Sequence, residues 1–561
     1  MKKNITFSLL LLFVTLQLSA QSQHYDISPK FPYTLTAEEQ LLKHTLPSQA
    51  ASNRTPAPPA PVVSVAEFQP MSGVMIAYPL GIPVSLVAQL SQITSVKVLV
   101  DNSYNLERAA TYFSQQGVNM ENVDMWLIEH DTYWTRDYGP WFVIDGNDNM
   151  SVIDFTYNRP ARPDDDASLQ YVSNYLNLPT YTMPMVHTGG NYMCNGYGVA
   201  ASTQLVIEEN PYETASSLRQ IAQDYLGIND YMFIEDPMDD YIYHIDCWGK
   251  FLGVDKVLIG QVPATDYRYA DYEAVAAVFA NAVSPWGNHY QVFRVYTPDG
   301  GWTATPYTNS LILNNYVFVP QTGSQWDDEA VAVYRQAMPG YTIVPVMESD
   351  YTPWFNTDAL HCRTHELADK DMLYIKHFPL WGSQYIENNA HLQASIKSLG
   401  GQPLVSDSVL VFYKLNNEDW QTTPLYAVGG DVWEASLEGL HAGDSVSYYI
   451  FAKDNSGRRE HHPYIGAADP HHFTVASTTA IHSSETAVLL YPNPAVNHFV
   501  VAGDNLSLIK VFNSLGQLVY EQVLSSYTNK MDCSAWTSGI YYLSIDTDTG
   551  ETITKKLVKC Q

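Results

Sequence analysis

Three short clusters in the 561-residue chain bring together residue types that can do chemistry. The first, Trp134-Thr135-Arg136-Asp137-Tyr138-Gly139-Pro140, sets an aspartate among aromatics just before a Gly-Pro turn. The second, Tyr241-Ile242-Tyr243-His244-Ile245-Asp246-Cys247, reads as a strand. Side chains alternate faces along a strand, so His244 and Asp246 would share one face, with Tyr241 and Tyr243 on the other and Cys247 turned away from His244. The third, Asp358-Ala359-Leu360-His361-Cys362-Arg363-Thr364-His365-Glu366, is polar enough to read as an exposed loop. A cysteine, a histidine and two aspartates suit a guanidinium substrate. That group is planar and always charged, so carboxylates can grip its N–H fork in paired hydrogen bonds. Its central carbon is a poor electrophile, and a thiolate is the strongest nucleophile a side chain supplies near neutral pH. A histidine can protonate departing ammonia and then activate the water that resolves the covalent adduct. This chemistry requires no metal and no cofactor.

Each cluster also has a plainer reading. His-X-Asp on a strand is often structural. Cys194, within Gly189-Gly190-Asn191-Tyr192-Met193-Cys194, and Cys247 read as small buried residues. His361, Cys362 and His365 are of zinc-binding types, but no second Cys/His pair at zinc-site spacing accompanies them. Asp164-Asp165-Asp166 reads as a solvated loop with room for a structural cation. Arg159 and Arg162 read equally well as surface charge or as a functional pair.

The elements that must position these residues fall into several domains, because single cores stop growing at roughly 250 to 300 residues. From Val62 to about residue 380, runs such as Val96 to Val100, Met125 to Ile128, Trp141 to Ile144 and Val257 to Ile259 alternate with helical stretches such as Val84 to Ile93, Leu106 to Phe113 and Tyr269 to Ala282. That alternation predicts an α/β domain. Residues 383 to 475 change to short strands with turn signals (Val409 to Tyr413, Trp433 to Leu437, Val446 to Phe451), as in a β-sandwich. A Ser/Thr-rich linker, Ala476 to Glu485, leads to a second small β domain. It opens with Tyr491-Pro492-Asn493-Pro494, has strands at Ile509 to Phe512 and Ile540 to Ile545, and turns at Asn513-Ser514-Leu515-Gly516.

The start of the chain, with Lys2 and Lys3, an apolar run from Ile5 to Leu18 and the small Ser19 and Ala20, reads as a signal peptide of residues 1–20. Residues 21–61 read as a pro-segment or linker whose proline-rich end, Thr55 to Pro61, favours an extended, solvated backbone. No later run approaches the roughly 20 apolar residues of a membrane helix. With 29 Lys plus Arg against 59 Asp plus Glu, the net charge of −30 disfavours nucleic acid and anionic lipid as partners. The 5 cysteines are an odd and sparse set for an exported chain, so a disulfide framework is not expected and a thiol stays free.

Glu67-Phe68-Gln69-Pro70, the Trp134 to Pro140 motif, Gly189-Gly190-Asn191, Tyr241 to Asp246, Thr308-Asn309-Ser310 and His361 to Glu366 occur together and in this order. That set resembles the guanidino-group-modifying superfamily, most closely the Porphyromonas-type peptidylarginine deiminases, over about residues 65 to 380. The resemblance implies that residues 62–382 form a five-bladed α/β propeller with pseudo-fivefold symmetry and the active site on its axis. It implies Cys362 as nucleophile, His244 as general acid/base, Asp137 and Asp246 as the carboxylates holding the guanidinium, and Asn309, Trp134 and Tyr241 as pocket lining. In that family two arginines recognise the carboxylate of a C-terminal arginine. Arg159 and Arg162 match them, although Pro160 and Ala161 intervene where the family pattern has one residue.

Residues 486–561, with a basic end at Lys555-Lys556-Leu557-Val558-Lys559, resemble the sorting domain of the type IX secretion system, and residues 383–475 resemble an immunoglobulin-like module. The expectation is therefore a monomeric peptidylarginine deiminase, secreted or held on the outer-membrane surface, that acts on arginine-containing peptides and proteins. It would release citrulline and ammonia through a cysteine thiouronium. Competing readings are a deiminase for agmatine or free arginine, a secreted cysteine protease and a non-enzymatic adhesin.

Overall fold

The computed structural model describes residues 35–42, 54–238, 241–298, 304–386, 388–476 and, in segments, 488–559, so the expected signal peptide lies outside the described residues. Up to Ala476 the chain forms one compact unit. Residues 63–368 contain five small sheets, each with a short leading strand. These leading strands are His365–Ala368, Trp141–Ile144, Met193–Cys194, Gly249–Phe251 and Leu311–Leu313. Each runs antiparallel to the next strand of its sheet: Met71–Tyr78, Met150–Tyr157, Val199–Thr203, Lys256–Gln261 and Tyr316–Gln321 respectively. Each of those then pairs in parallel with a third strand: Ser95–Val100, Thr180–His187, Asp230–Ile234, Gln291–Tyr296 and Thr342–Met347. The parallel step needs a crossover, which the helices Val84–Ile93, Pro163–Leu176, Ala215–Leu226, Tyr269–Asn281 and Asp327–Ala337 supply. The arrangement is α/β and propeller-like. Its first sheet is completed by the last strand of the domain, His365–Ala368, which ties the two ends of the domain together.

Several sequence expectations coincide with these elements, including Val84–Ile93 and Trp141–Ile144. These segments have an unbroken apolar period and sit in the core, Leu86, Val87 and Leu90 among them. The expected solvated run of aspartates is instead the first turn of the helix Pro163–Leu176, where acidic side chains meet the positive end of the helix dipole. Asp165 is buried and accepts hydrogen bonds from the Asp131 and Thr132 amides at 2.8 and 3.0 Å. The proline-rich stretch is likewise not a free linker, for Thr55 exchanges hydrogen bonds with Thr182 and Pro59 accepts one from the Gly146 amide at 2.7 Å.

The β-sandwich begins earlier than the expected boundary at 383. The strand Leu373–His377 pairs with Ala390–Ser398, and Leu373 and Ile375 enter the sandwich core with Leu392, Ile396, Val446 and Phe473. Trp381 Nε1 donates to the Trp286 carbonyl at 2.7 Å and Gln69 Nε2 to the Tyr464 hydroxyl at 2.9 Å, which fastens the sandwich to the α/β part. Residues from 477 form a separate unit of antiparallel strands. There Ile509, Val511, Leu543, Ile545 and Leu557 alternate inward, which makes the core of one sheet face. The expected turn at Asn513 to Gly516 falls mostly outside the described residues. Among the described residues no helix is long and apolar enough to cross a membrane.

Candidate active site

The leading strands explain how distant residues meet. Asp137 stands just before Trp141–Ile144, Gly190 before Met193–Cys194, Asp246 before Gly249–Phe251, Asn309 before Leu311–Leu313 and Cys362 before His365–Ala368. Equivalent positions of five similarly built sheets thus converge, at the strand ends where turns leave backbone and side chains available.

The segment read from sequence as the strand Tyr241 to Cys247 is not one. Tyr243 has φ 52°, a left-handed value that no strand accommodates, and Ile245–Cys247 form a single 3-10 turn. Its backbone is satisfied by side chains, the Tyr243 carbonyl by the Thr203 hydroxyl at 2.6 Å and the Ile245 amide by Asn191 Oδ1 at 3.3 Å. The turn nevertheless brings His244 and Asp246 together, while Cys247 Sγ leans on the Thr357 carbonyl at 3.3 Å.

The cluster Asp358 to Glu366 is buried throughout rather than an exposed loop, because its polar groups pair internally. Arg363 donates twice to Asp358, at 2.8 and 2.7 Å, and once to the Gly81 carbonyl at 2.9 Å. Arg136 forks onto both oxygens of Glu366, and its amide donates to the Cys362 carbonyl at 3.2 Å. The helical turn bearing Asp137 and the turn bearing Cys362 are therefore bolted to each other. Sequence reasoning assigned Arg136 no role.

Asn309 sits behind the thiol. Its Oδ1 accepts from the Ala359 and Cys362 amides at 3.0 and 3.1 Å, and its Nδ2 donates to Cys362 Sγ at 3.1 Å. It fixes the turn that carries Cys362. Cys362 Sγ lies 3.4 Å from Asp246 Oδ2, and the same oxygen is 2.7 Å from His361 Nδ1. His361 Nε2 is 2.7 Å from Glu67 Oε1, whose other oxygen accepts from Lys250 at 2.7 Å. This chain from Asp246 to Lys250 was not legible in the sequence, where Glu67 lies 183 residues from Lys250 and 294 from His361. His361 also uses both ring nitrogens on carboxylates, and His365 Nδ1 lies 2.7 Å from the Glu366 carbonyl.

Among the buried polar atoms with no hydrogen-bond partner in the described residues are Asp137 Oδ1 and both ring nitrogens of His244. Asp137 Oδ1 and His244 Nδ1 approach to 3.6 Å. A Cβ placed on Gly190 would stand 2.6 Å from His244 Nδ1, 2.7 Å from Asp137 Oδ1 and 3.3 Å from Asp246 Oδ2. The point above the Gly190 Cα is therefore where all three groups aim. Burial, reinforced by the Asp246 charge, pushes the Asp137 carboxyl up to about 7. Burial takes His244 down to about 3 and, with the facing carboxylates, lifts the Cys362 thiol well above its usual range. Burial also pulls Asp246 upward, but the His361 hydrogen bond and charge hold it below the ordinary carboxyl value.

Arg159 and Arg162 are both buried, which removes the surface-charge reading. The Arg162 amide donates to the Arg159 carbonyl at 2.9 Å, so one turn presents both despite the extra residue between them. Both charges act on Asp137. Arg162 lies over the ring of Trp134, 5.0 Å from its centroid. Tyr241 is half-buried in the bend ahead of His244.

Residues 65–367 match the Porphyromonas-type peptidyl-arginine deiminase family, and residues 489–560 match the secretion system C-terminal sorting domain. The chain is 24% identical over 297 residues to a candidate agmatine deiminase of Yersinia pestis, covering 46% of this chain and 80% of that one. It is 24% identical over 258 residues to an agmatine deiminase of Stutzerimonas stutzeri, covering 39% and 70%. The X-ray structure of a candidate agmatine deiminase superposes with a TM-score of 0.50 at 18% identity over 55% of this chain and 96% of that one, a likeness of fold. The family match spans more than half of the sequence and contains every residue of the cluster around Gly190, and the tail match implies export through the type IX machinery. The chain belongs to the Porphyromonas-type peptidyl-arginine deiminase family, whose members hydrolyse amidine C–N bonds.

Proposed function

We propose that the protein is a secreted peptidyl-arginine deiminase that prefers arginine at the C-terminus of peptides and proteins. The observation that carries this reading is the convergence of Asp137 Oδ1, His244 Nδ1 and Asp246 Oδ2 on the space above Gly190, beside the Cys362 thiol. A guanidinium there satisfies the orphaned carboxylate oxygen and pairs with both carboxylates. Its positive charge also lowers the Asp137 and Cys362 pKa values, so the substrate itself helps to ionise the nucleophile. The Cys362 proton passes to His244 as sulfur bonds to the guanidinium carbon, and one C–N bond then breaks as His244 returns that proton to the leaving ammonia. Water next attacks the thiouronium and gives a proton to His244. The C–S bond breaks as the hydroxyl proton passes to the departing thiolate, leaving citrulline, and His244 releases its proton to solvent, where ammonia takes it up as ammonium. Asn309 keeps the sulfur in place through both steps, and Asp246 is held charged by His361.

Arg159 sets the substrate preference in this reading. It is buried and its charge acts on Asp137 and His244, and a peptide that ends in arginine brings a carboxylate to meet it. Agmatine deimination is the second reading, favoured by the names of the curated relatives. A decarboxylated substrate would leave Arg159 without an anion. Ammonia release should be measured on a peptide ending in arginine, the same peptide amidated, and agmatine, with citrulline followed in the two peptides. The first should be turned over much faster than the others, and Arg159→Ala should cost about 10- to 100-fold in kcat/KM on the first alone, mainly through KM. Equal loss on all three substrates, or agmatine as the best of them, would overturn the preference.

The remaining sequence expectations belong to the same proposal. They are a signal peptide at residues 1–20, a deiminase domain of five blades about a pseudo-fivefold axis, an immunoglobulin-like identity for the sandwich, and a monomeric enzyme on or beyond the outer membrane.

A further inference from the structure

Ahead of the catalytic part, the short helix Ala37–Leu42 places Glu39 inside the protein rather than in solvent. Its carboxylate is wholly buried. Glu39 Oε1 accepts from Arg162 Nε at 2.7 Å, and Glu39 Oε2 accepts from the Thr36 amide at 2.7 Å. The Thr36 hydroxyl in turn accepts from the Glu39 amide at 3.1 Å, a reciprocal cap that fixes the side chain in one conformation. Six helical residues are too few to hold their shape alone, so docking depends on these contacts. A glutamate in a solvated leader would ordinarily stay exposed. Here it is buried against an arginine that stacks on Trp134 and acts electrostatically on Asp137. No group of the catalytic reaction needs Glu39.

We infer that the segment 35–42 is an intramolecular ligand of the substrate site, with the Glu39 carboxylate holding the place that the carboxylate of a C-terminal arginine takes. The inference rests on the deiminase reading and adds the regulation of that site. While Glu39 is docked, Arg162 is occupied. A peptide carboxylate must compete with a carboxylate carried on the same chain, and only the fraction of molecules with the segment released binds it at full strength. Removal or displacement of the segment therefore sharpens recognition of free C-termini without altering the chemical step. Substrates that lack a carboxylate are indifferent to it.

The test compares the full-length protein with two variants. In Glu39→Gln the anion becomes a neutral amide. In the other, a protease site is inserted between Pro47 and Ser48 and cut after folding, which leaves every native side chain in place and guards against misfolding of the first. On a peptide ending in arginine, KM should fall about tenfold in both, with kcat unchanged and with both constants unchanged on the amidated peptide. An unchanged or raised KM on the first peptide in the two variants would overturn the inference and assign Glu39 to folding or to positioning Arg162. Turnover of neither peptide by any form would instead remove the deiminase reading, and this inference with it.

Discussion

Replacing Asp137 by asparagine is expected to make the protein more stable and almost inactive. Asp137 is buried, and one of its oxygens has no hydrogen-bond partner among the described residues. Its pKa stands at about 7 against an ordinary 3.8, raised first by burial and then by the Asp246 charge. A carboxyl that holds its proton more tightly in the fold than in the unfolded chain favours the fold fully only below pH 3.8, and that contribution is lost as the pH rises through about 7. Above that the protein carries a buried charge with one oxygen unpartnered among the described residues. A neutral amide in its place would carry no charge, so Asp137→Asn should gain about 1–3 kcal/mol at pH 8, with the gain shrinking toward pH 5. Thermal unfolding at the two pH values measures it. The same change removes half of the charge that grips guanidinium, and kcat/KM should fall by about 10³-fold or more. Wild-type kcat/KM should rise with pH up to about 7 as Asp137 ionises. A variant that is less stable than wild type at pH 8 would mean that Asp137 is already paired in the free enzyme.

The second large effect is expected from a single methyl group. The residue at 190 is not among those with positive φ, so alanine fits its backbone without strain. The added Cβ would nonetheless stand 2.6 Å from His244 Nδ1 and 2.7 Å from Asp137 Oδ1, closer than such atoms approach. Gly190→Ala therefore fills the space assigned to the guanidinium and pushes apart the two groups that flank it. The variant should fold, with a stability loss below about 3 kcal/mol, and lose about 10³-fold or more of kcat/KM. Circular dichroism with steady-state kinetics separates the two effects. Retention of a tenth of wild-type activity would mean that the substrate lies elsewhere.

Much of this site could be read before any coordinates, for reasons that differ from residue to residue. Trp141–Ile144 and Val84–Ile93 follow from local apolar patterns, which their burial satisfies. Asp137, His244, Asp246 and Cys362 stood out as reactive types in compact clusters, but their meeting point did not. It arises from long-range strand pairings, above all His365–Ala368 returning to Met71–Tyr78, and no local period encodes such closure. The strand misreading at Tyr241 to Cys247 has a local cause: β-branched and aromatic residues favour a strand, while a left-handed Tyr243 and side-chain capping from Thr203 and Asn191 impose a turn. The burial of Asp358 to Glu366 and of Asp165 was hidden because composition registers charge but not its partners. Gly190 was visible only as part of a motif, since what matters there is the side chain it lacks.

The central claim is covalent chemistry at Cys362, and a rapid-quench experiment tests it most directly. A peptide ending in arginine is mixed with excess enzyme, acid-quenched within milliseconds, and the digest is examined by mass spectrometry. The account predicts a transient adduct on the Cys362 peptide, equal to the substrate less ammonia, that decays as citrulline appears. Citrulline formed with no adduct on Cys362 at any time, or new amino termini in place of citrulline, would contradict it.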